Sequence, residues 1–173
     1  MAPQRGSMVL IWLLLGLLLV MYVRYNTKKV MAYEVLQVTP ANLTFEVLSE
    51  RKPVVLRKGN KPIEEIIEKA LRYTLLYTSR RELIPTADFR EVQGRYEIIV
   101  AKSPIEVEII HPGYVGIGDY QSISLKLDIN SIAILPTYWA YKLVQQSPDK
   151  NAHDLIVAHD IFSTLRGVMF VNQ

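Results

Sequence analysis

The sequence contains no cysteine. That absence excludes a disulfide scaffold, a thiolate zinc site, a thiol nucleophile and a thiolate-held cluster. Histidine is scarce: there are three in 173 residues, and none opens a His-x-Asp or His-x-Glu triplet. Neither sign of charge dominates, since 20 Lys and Arg stand against 17 Asp and Glu, a net of +3. Such a balance is not a nucleic-acid-binding composition. No internal repeat, low-complexity tract, Gly-Lys-Ser/Thr loop or Gly-x-Ser-x-Gly elbow occurs. What the chain does have is apolar weight. Hydrophobic residues make up 50% and charged residues 21%, which fits neither a disordered nor a fibrous chain.

That weight is uneven. From Met8 to Val23 there is no charged or strongly polar residue. About 17 to 20 such residues form a membrane-spanning helix. The expectation is a transmembrane anchor over residues 1–25, marked by Met8, Trp12, Gly16, Val23 and Arg24. Trp12 and Tyr22 or Tyr25 suit the interfaces, and Arg24 can snorkel. A cleaved signal peptide, with Arg5 as its charged region, is the rival. The run ends in Met21-Tyr22-Val23-Arg24-Tyr25, which offers no small-x-small site. Arg24, Lys28 and Lys29 after the run outweigh Arg5 and the terminal amine before it. The charge rule therefore puts the C-terminal part on the cytosolic side, where Asn42 of the Asn42-Leu43-Thr44 sequon stays unmodified.

Residues 26–38 read as a juxtamembrane connector and 39–173 as one β domain. Pro53-Val54-Val55-Leu56 reads as a buried strand closed by a Gly59-Asn60 turn. A helix follows, with Asn60 as cap, Pro62 near its first turn, and Ile63, Ile66, Ile67, Ala70, Leu71 and Thr74 on one face. It fades at Ser79-Arg80-Arg81. After Pro85 the period becomes two: Tyr96, Ile98, Val100; Ile105, Val107, Ile109; then Ser122 to Asn130. His111-Pro112-Gly113 and Gly116 to Asp119 are turns. Ile132 to Leu135 and Trp139 to Val144 are split by Pro136, Ser147 to Asn151 is a loop, and Leu155-Ile156-Val157 reads as a strand. Residues 162–170 fit strand or helix. The expected fold is mainly β, a sandwich or barrel with one flanking amphipathic helix.

Phe45 to Gly59 resembles the opening of Jumonji-C and related cupin-like jelly rolls, where a short helix precedes a Pro-Val-Val-(Ile/Leu)-Arg-Gly strand. Leu127 to Val144 resembles their late hairpin. Ile134-Leu135-Pro136-Thr137-Tyr138-Trp139-Ala140 stands where the family has Ile-Pro-Pro-Gly-Trp-Trp-His. The resemblance implies a cupin-like jelly roll. In that family iron is held by a His-x-(Asp/Glu) pair and a distant His. The distant position falls at Ala140, which cannot ligate, and the pair is missing, so the resemblance implies a degenerate, non-catalytic site without metal or cofactor. The hairpin turn beside an apolar N-terminus is also similar to uncharacterised membrane-anchored cupin-like proteins of large DNA viruses. That similarity implies a virion or capsid setting at an internal membrane.

Other candidates have plain readings beside the chemical one. His153-Asp154 and His159-Asp160 share a face only on a strand; a surface strand or loop is the ordinary meaning. Glu106 and Glu108 lie on one strand face about 7 Å apart. They form a carboxylate pair or a solvated face. Gly113, Gly116 and Gly118 precede no helix. Ser79, Ser122 and Ser163 lack an elbow. Arg51-Lys52 and Arg57-Lys58 with Lys61 are solvated basic turns. Tyr73, Tyr77, Pro136, Tyr138, Trp139 and Tyr141 are the turn and aromatic residues suited to an interface or a core rim. The expected function is a membrane-anchored structural or protein-interaction module, with a lipid bilayer and a protein partner or homo-oligomer as partners and no nucleic acid. The alternative is a cupin-type enzyme or small-molecule binder with an atypical site.

Overall fold

The computed structural model describes residues 5–27, 34–57, 62–72, 78–82, 88–111, 122–144 and 152–164. The elements are α1 (Arg5–Thr27), β1 (Leu36–Val38), a 3-10 turn (Pro40–Asn42), α2 (Phe45–Ser49), β2 (Val54–Leu56) and α3 (Ile63–Arg72). There follow β3 (Thr78–Glu82), β4 (Arg90–Glu91), β5 (Tyr96–Ala101), β6 (Ile105–Ile110), β7 (Ser122–Leu127), β8 (Ile132–Pro136), β9 (Ala140–Leu143) and β10 (His153–His159). The chain is mainly β. One sheet runs β1-β2-β8-β5-β10-β3 and the other β4-β9-β6-β7. Among the described residues, only β1 and β2 pair in parallel.

Burial explains the sequence pattern. Ile99, Ala133, Leu135, Leu155 and Val157 of the larger sheet meet Val107, Ile109, Leu125, Leu127, Tyr141 and Leu143 of the smaller one. The opposite face of the larger sheet packs Ile98, Val100, Ile134 and Ile156 against Leu48 of α2 and Ile66, Ala70 and Leu71 of α3. β5 and β8 are thus buried on both faces, and their apolar runs are continuous. β6 and β7 keep one wetter face and alternate. In α2, Thr44 caps the first turn by accepting from the Val47 N–H at 3.4 Å. α3 carries Glu64 and Glu65 in its first turn and Lys69 and Arg72 in its last, complementing the helix dipole. Gly94 has no room for a side chain, because an added Cβ would collide with the Ala158 carbonyl of β10.

Several expectations need correction. Among the described residues, no helix is long and apolar enough to cross a membrane. The uncharged run Met8 to Val23 lies on α1. At 1.5 Å per residue it rises about 24 Å, short of a hydrocarbon core of about 30 Å. The single-pass anchor and the cytosolic-facing topology built on it are therefore overturned. β1 belongs to the larger sheet, so residues 36–38 are not connector. Ser79-Arg80-Arg81 is not a fading helix but part of β3, held by antiparallel pairing with β10. α2 adds a second helix to the domain beside the expected amphipathic one. The expected Gly59-Asn60 and Gly116 to Asp119 turns, Lys28, Lys29, Lys58, Lys61, Tyr73, Tyr77, Gly113, the 147–151 loop and residues 165–170 lie outside the described residues.

Candidate functional site

The larger sheet points one carboxylate into the space between the sheets. Glu97 is on β5, two residues before Ile99, and so shares the inward face; it is fully buried. Its carboxylate accepts from Arg90 Nη2 at 2.9 Å, from the Gln93 N–H at 2.8 Å and from the Tyr141 hydroxyl. The Arg90 guanidinium also lies 5.8 Å from the Tyr141 ring centroid. Arg90 is on β4 and Tyr141 on β9, both of the smaller sheet. The cluster therefore ties one sheet to the other. A buried carboxylate needs such donors, since an uncompensated charge there is very costly. The Glu97 carboxyl oxygens are thus already taken up by donors from within the protein.

Beside it lies the turn read from the sequence. Pro136 ends β8, and the Trp139 N–H donates to the Pro136 carbonyl at 3.3 Å. Tyr138 takes φ 77°, at the position where such a turn favours glycine. The Thr137 hydroxyl reaches the Gly94 and Arg95 carbonyls, each at 3.0 Å. Trp139 is fully buried; its Nε1–H donates to the Arg51 carbonyl at 3.1 Å. Arg51 itself is left-handed at φ 58°. The His111 ring meets the indole edge-on at 5.2 Å. Of the four interface candidates, Trp139 and Tyr141 are thus interior, Pro136 is buried, and Tyr138 is half-buried. Ala140 faces away from the inter-sheet core yet is 2% exposed, because this end of the smaller sheet is covered at Ile110 as well.

The remaining candidates resolve individually. His153 and His159 do share the inward face of β10 with Leu155 and Val157. Six residues of strand separate them by about 20 Å, too far to share one ion. Among the described residues no three His, Asp or Glu side chains come together as a metal-binding group. Glu106 and Glu108 lie on the outer face of the smaller sheet. Glu106 accepts from Ser124, and Glu108 from Ser122 and from Lys142 at 2.9 Å. The Ser122 hydroxyl first, then the Lys142 ammonium, hold Glu108 below its ordinary pKa. A general acid needs the opposite shift. Ser163 and Asp160 cap the short helix 161–164 reciprocally: the Asp160 N–H donates to Ser163 Oγ at 2.8 Å, and the Ser163 N–H to Asp160 Oδ1 at 2.7 Å. The Glu97–Arg90–Tyr141 cluster was not found from the sequence. The available signal was a charged residue at an inward position of an otherwise apolar strand.

Burial lowers the pKa of both His111 and His153 from 6.5. The folded state thus resists protonating each ring more than the unfolded chain does, so the unfolded chain binds protons first as pH falls. Their stabilising contribution is full above about pH 6.5 and is lost below it, towards the folded-state values. The melting temperature should therefore fall between about pH 7.5 and about pH 5.5, and fall less in a His111→Phe, His153→Gln variant. Parallel curves for the two proteins would refute the assignment.

No protein-family model matches the chain, and no curated protein matches it. Among solved structures, the plu4264 protein of Photorhabdus luminescens aligns at 14% identity and a TM-score of 0.33, over 56% of this chain and 72% of that one. Vicilin from hazelnut, Corylus avellana, aligns at 14% identity and a TM-score of 0.29, over 47% of this chain and 21% of that one. At these values the likenesses carry no functional argument.

Proposed function

We propose that the protein is a structural or protein-interaction module, in which a degenerate, non-catalytic cupin-like domain is carried on a helix that assembles with protein. The observation that carries this reading is the exposure of α1. Its large apolar side chains from Met8 to Val23 are exposed over most of the helix, Trp12 at 70% and Leu13 at 69%, with Tyr22 alone half-buried against Phe162. A helix apolar all round belongs in an interior, and an exposed apolar surface of this size marks a binding site. The β domain supports the same reading from within. Trp139, Tyr141 and aliphatic side chains fill the space between the sheets. The position where the cupin-like resemblance puts a ligand holds Ala140. The alternative, a small-molecule binder with an atypical site, has Glu97 as its best group, and that carboxylate already has three donors within the protein. The virion setting has no counterpart among the described residues.

The test is amine-reactive cross-linking in cells of the full chain and of a Leu13→Glu, Leu17→Glu variant. Burying unpaired charge in an interface should reduce cross-linked species by about tenfold or more. The melting temperature of the β domain should stay unchanged. No cross-linked species from the unaltered chain, or equal amounts from both, would overturn the reading.

A further inference from the structure

Among the described residues the two sheets end in four edge strands, β1 and β3 in the larger and β4 and β7 in the smaller. An open edge invites further pairing, and proteins blunt such edges by shortness or by charge. β1 has three residues and β4 two. β3 has five and carries Arg80 and Arg81 side by side. β7 has six, Ser122 to Leu127, and one charge, Lys126, whose in-register neighbour Glu106 offsets it. β7 is thus the longest of these edges and the least guarded.

Its open side can be assigned residue by residue. The Val144 N–H donates to the Glu106 carbonyl at 3.0 Å, so the main-chain groups of Glu106 point towards β9. That direction alternates along a strand, so Ile105, Val107 and Ile109 point theirs towards β7. Their partners there are Leu127, Leu125 and Ile123. The N–H and C=O groups of Ser122, Ser124 and Lys126 therefore point away from the sheet. Among the described residues no further strand pairs with them and no turn bond reaches them. Their side chains are exposed as well.

A row of alternating donors and acceptors is complementary to another extended strand. The side chains favour a second copy of β7. With a two-fold axis at Ser124, Ser122 of each copy pairs with Lys126 of the other, and Ser124 with its own equivalent. All three outward-pointing residues are then paired, and a small side chain sits on the axis. Lys126 comes opposite Ser122, whose hydroxyl donates to Glu108, so each ammonium approaches a carboxylate across the seam. On the other face, half-buried Ile123 meets Leu125 of the other copy. An axis at Lys126 would instead set two ammonium groups face to face, which is destabilising. We infer that the chain forms a symmetric pair through β7, joining two four-stranded sheets into one of eight strands. This surface is separate from α1, and the inference does not rest on the reading of that helix.

The test is sedimentation velocity of the purified full chain carrying Leu13→Glu and Leu17→Glu, so that α1 does not contribute. This chain should self-associate. Proline is accepted on an edge strand where the N–H points outward. Ser124→Pro should therefore keep the β6–β7 ladder, remove one donor from each copy, and weaken association by about tenfold or more. Ser124→Lys keeps the N–H but puts like charges on the axis, and should weaken association by about threefold or more even if the proline variant fails to fold. The chain lacks cysteine, so an introduced thiol reports the register. Ser124→Cys should form disulfide-linked dimers on mild oxidation. Lys126→Cys should not, because four residues of strand, about 13 Å, separate its two copies. A chain that stays monomeric, a Ser124→Lys variant that associates as tightly as its parent, or equal cross-linking at positions 124 and 126 would overturn the proposal. In cells, a cross-linked band at twice the chain mass that survives the α1 substitutions is this pair. If that band alone appears, equally in both chains, the α1 reading falls and this one stands.

Discussion

Replacing Trp139 with alanine is expected to unfold the β domain or leave it barely stable. The side chain is fully exposed in the unfolded chain and fully buried in the folded one, between the two sheets. Truncating a buried tryptophan costs about 3–5 kcal/mol, against a total of about 5–15 for a domain of this size. The loss has two parts. A cavity opens beside Tyr141 and Leu143, and the Arg51 carbonyl loses the indole N–H that satisfies it at 3.1 Å. Trp139→Phe separates them, because it keeps most of the volume and gives up mainly the hydrogen bond, about 1 kcal/mol. Denaturant unfolding followed by circular dichroism suits the measurement, since the remaining indole, Trp12, already faces solvent. A midpoint unchanged by Trp139→Ala would mean that this residue is not in the core.

Glu97→Ala should be comparably severe for an electrostatic reason. Its removal leaves the Arg90 guanidinium, the Gln93 N–H and the Tyr141 hydroxyl facing an empty interior. Breaking a buried pair by deleting one partner costs about 3–5 kcal/mol. Removing both charges together is another matter, because well-packed apolar replacements of similar volume are often neutral. Arg90→Met with Glu97→Leu should therefore recover much of what Glu97→Ala loses. Tyr141→Phe should lose only one bond to a charged acceptor, about 1.5–3 kcal/mol. If Glu97→Ala and the double variant unfold at the same denaturant concentration, the unpaired arginine is not the cause. A Glu97→Ala variant as stable as the unaltered chain would show that the cluster does not join the sheets.

These two residues differ in how visibly the sequence announces them. Trp139, Tyr141 and Leu143 alternate after a proline, and period two alone places them on one face. β6 and β7 were legible for the same reason, since a wetter outer face writes polar residues into every second position. β8 was legible by the opposite sign, an apolar run covered on both sides, whereas β5 was read from its alternation at Tyr96, Ile98 and Val100 although both its faces are buried. β3 was not legible. Thr-Ser-Arg-Arg-Glu has no apolar period and becomes a strand because β10 lies beside it, which is tertiary information. Glu97 was hidden by its own type, because a charged residue in an alternating segment normally marks the wet face. In α1 composition and length disagree: the residues suit hydrocarbon, and the run falls about 6 Å short of crossing it.

The order of strands in the larger sheet fixes when this chain can fold. Val54 of β2 pairs with Ile134 of β8, and Thr78 of β3 pairs with His159 of β10. Both early strands wait some eighty residues for these partners, and β10, flanked by β5 and β3, is the last of the described strands to arrive. At about 5–20 residues per second, a ribosome leaves that interval open for several seconds. During it the sheet lacks an interior strand, and loop closures this long make pairing slow even after release. The apolar α1 is translated before any of them. The exposed apolar helix is therefore made before the sheet that follows it can close. That order leaves the larger sheet incomplete until β10 has been made, so its interior pairings close late in folding.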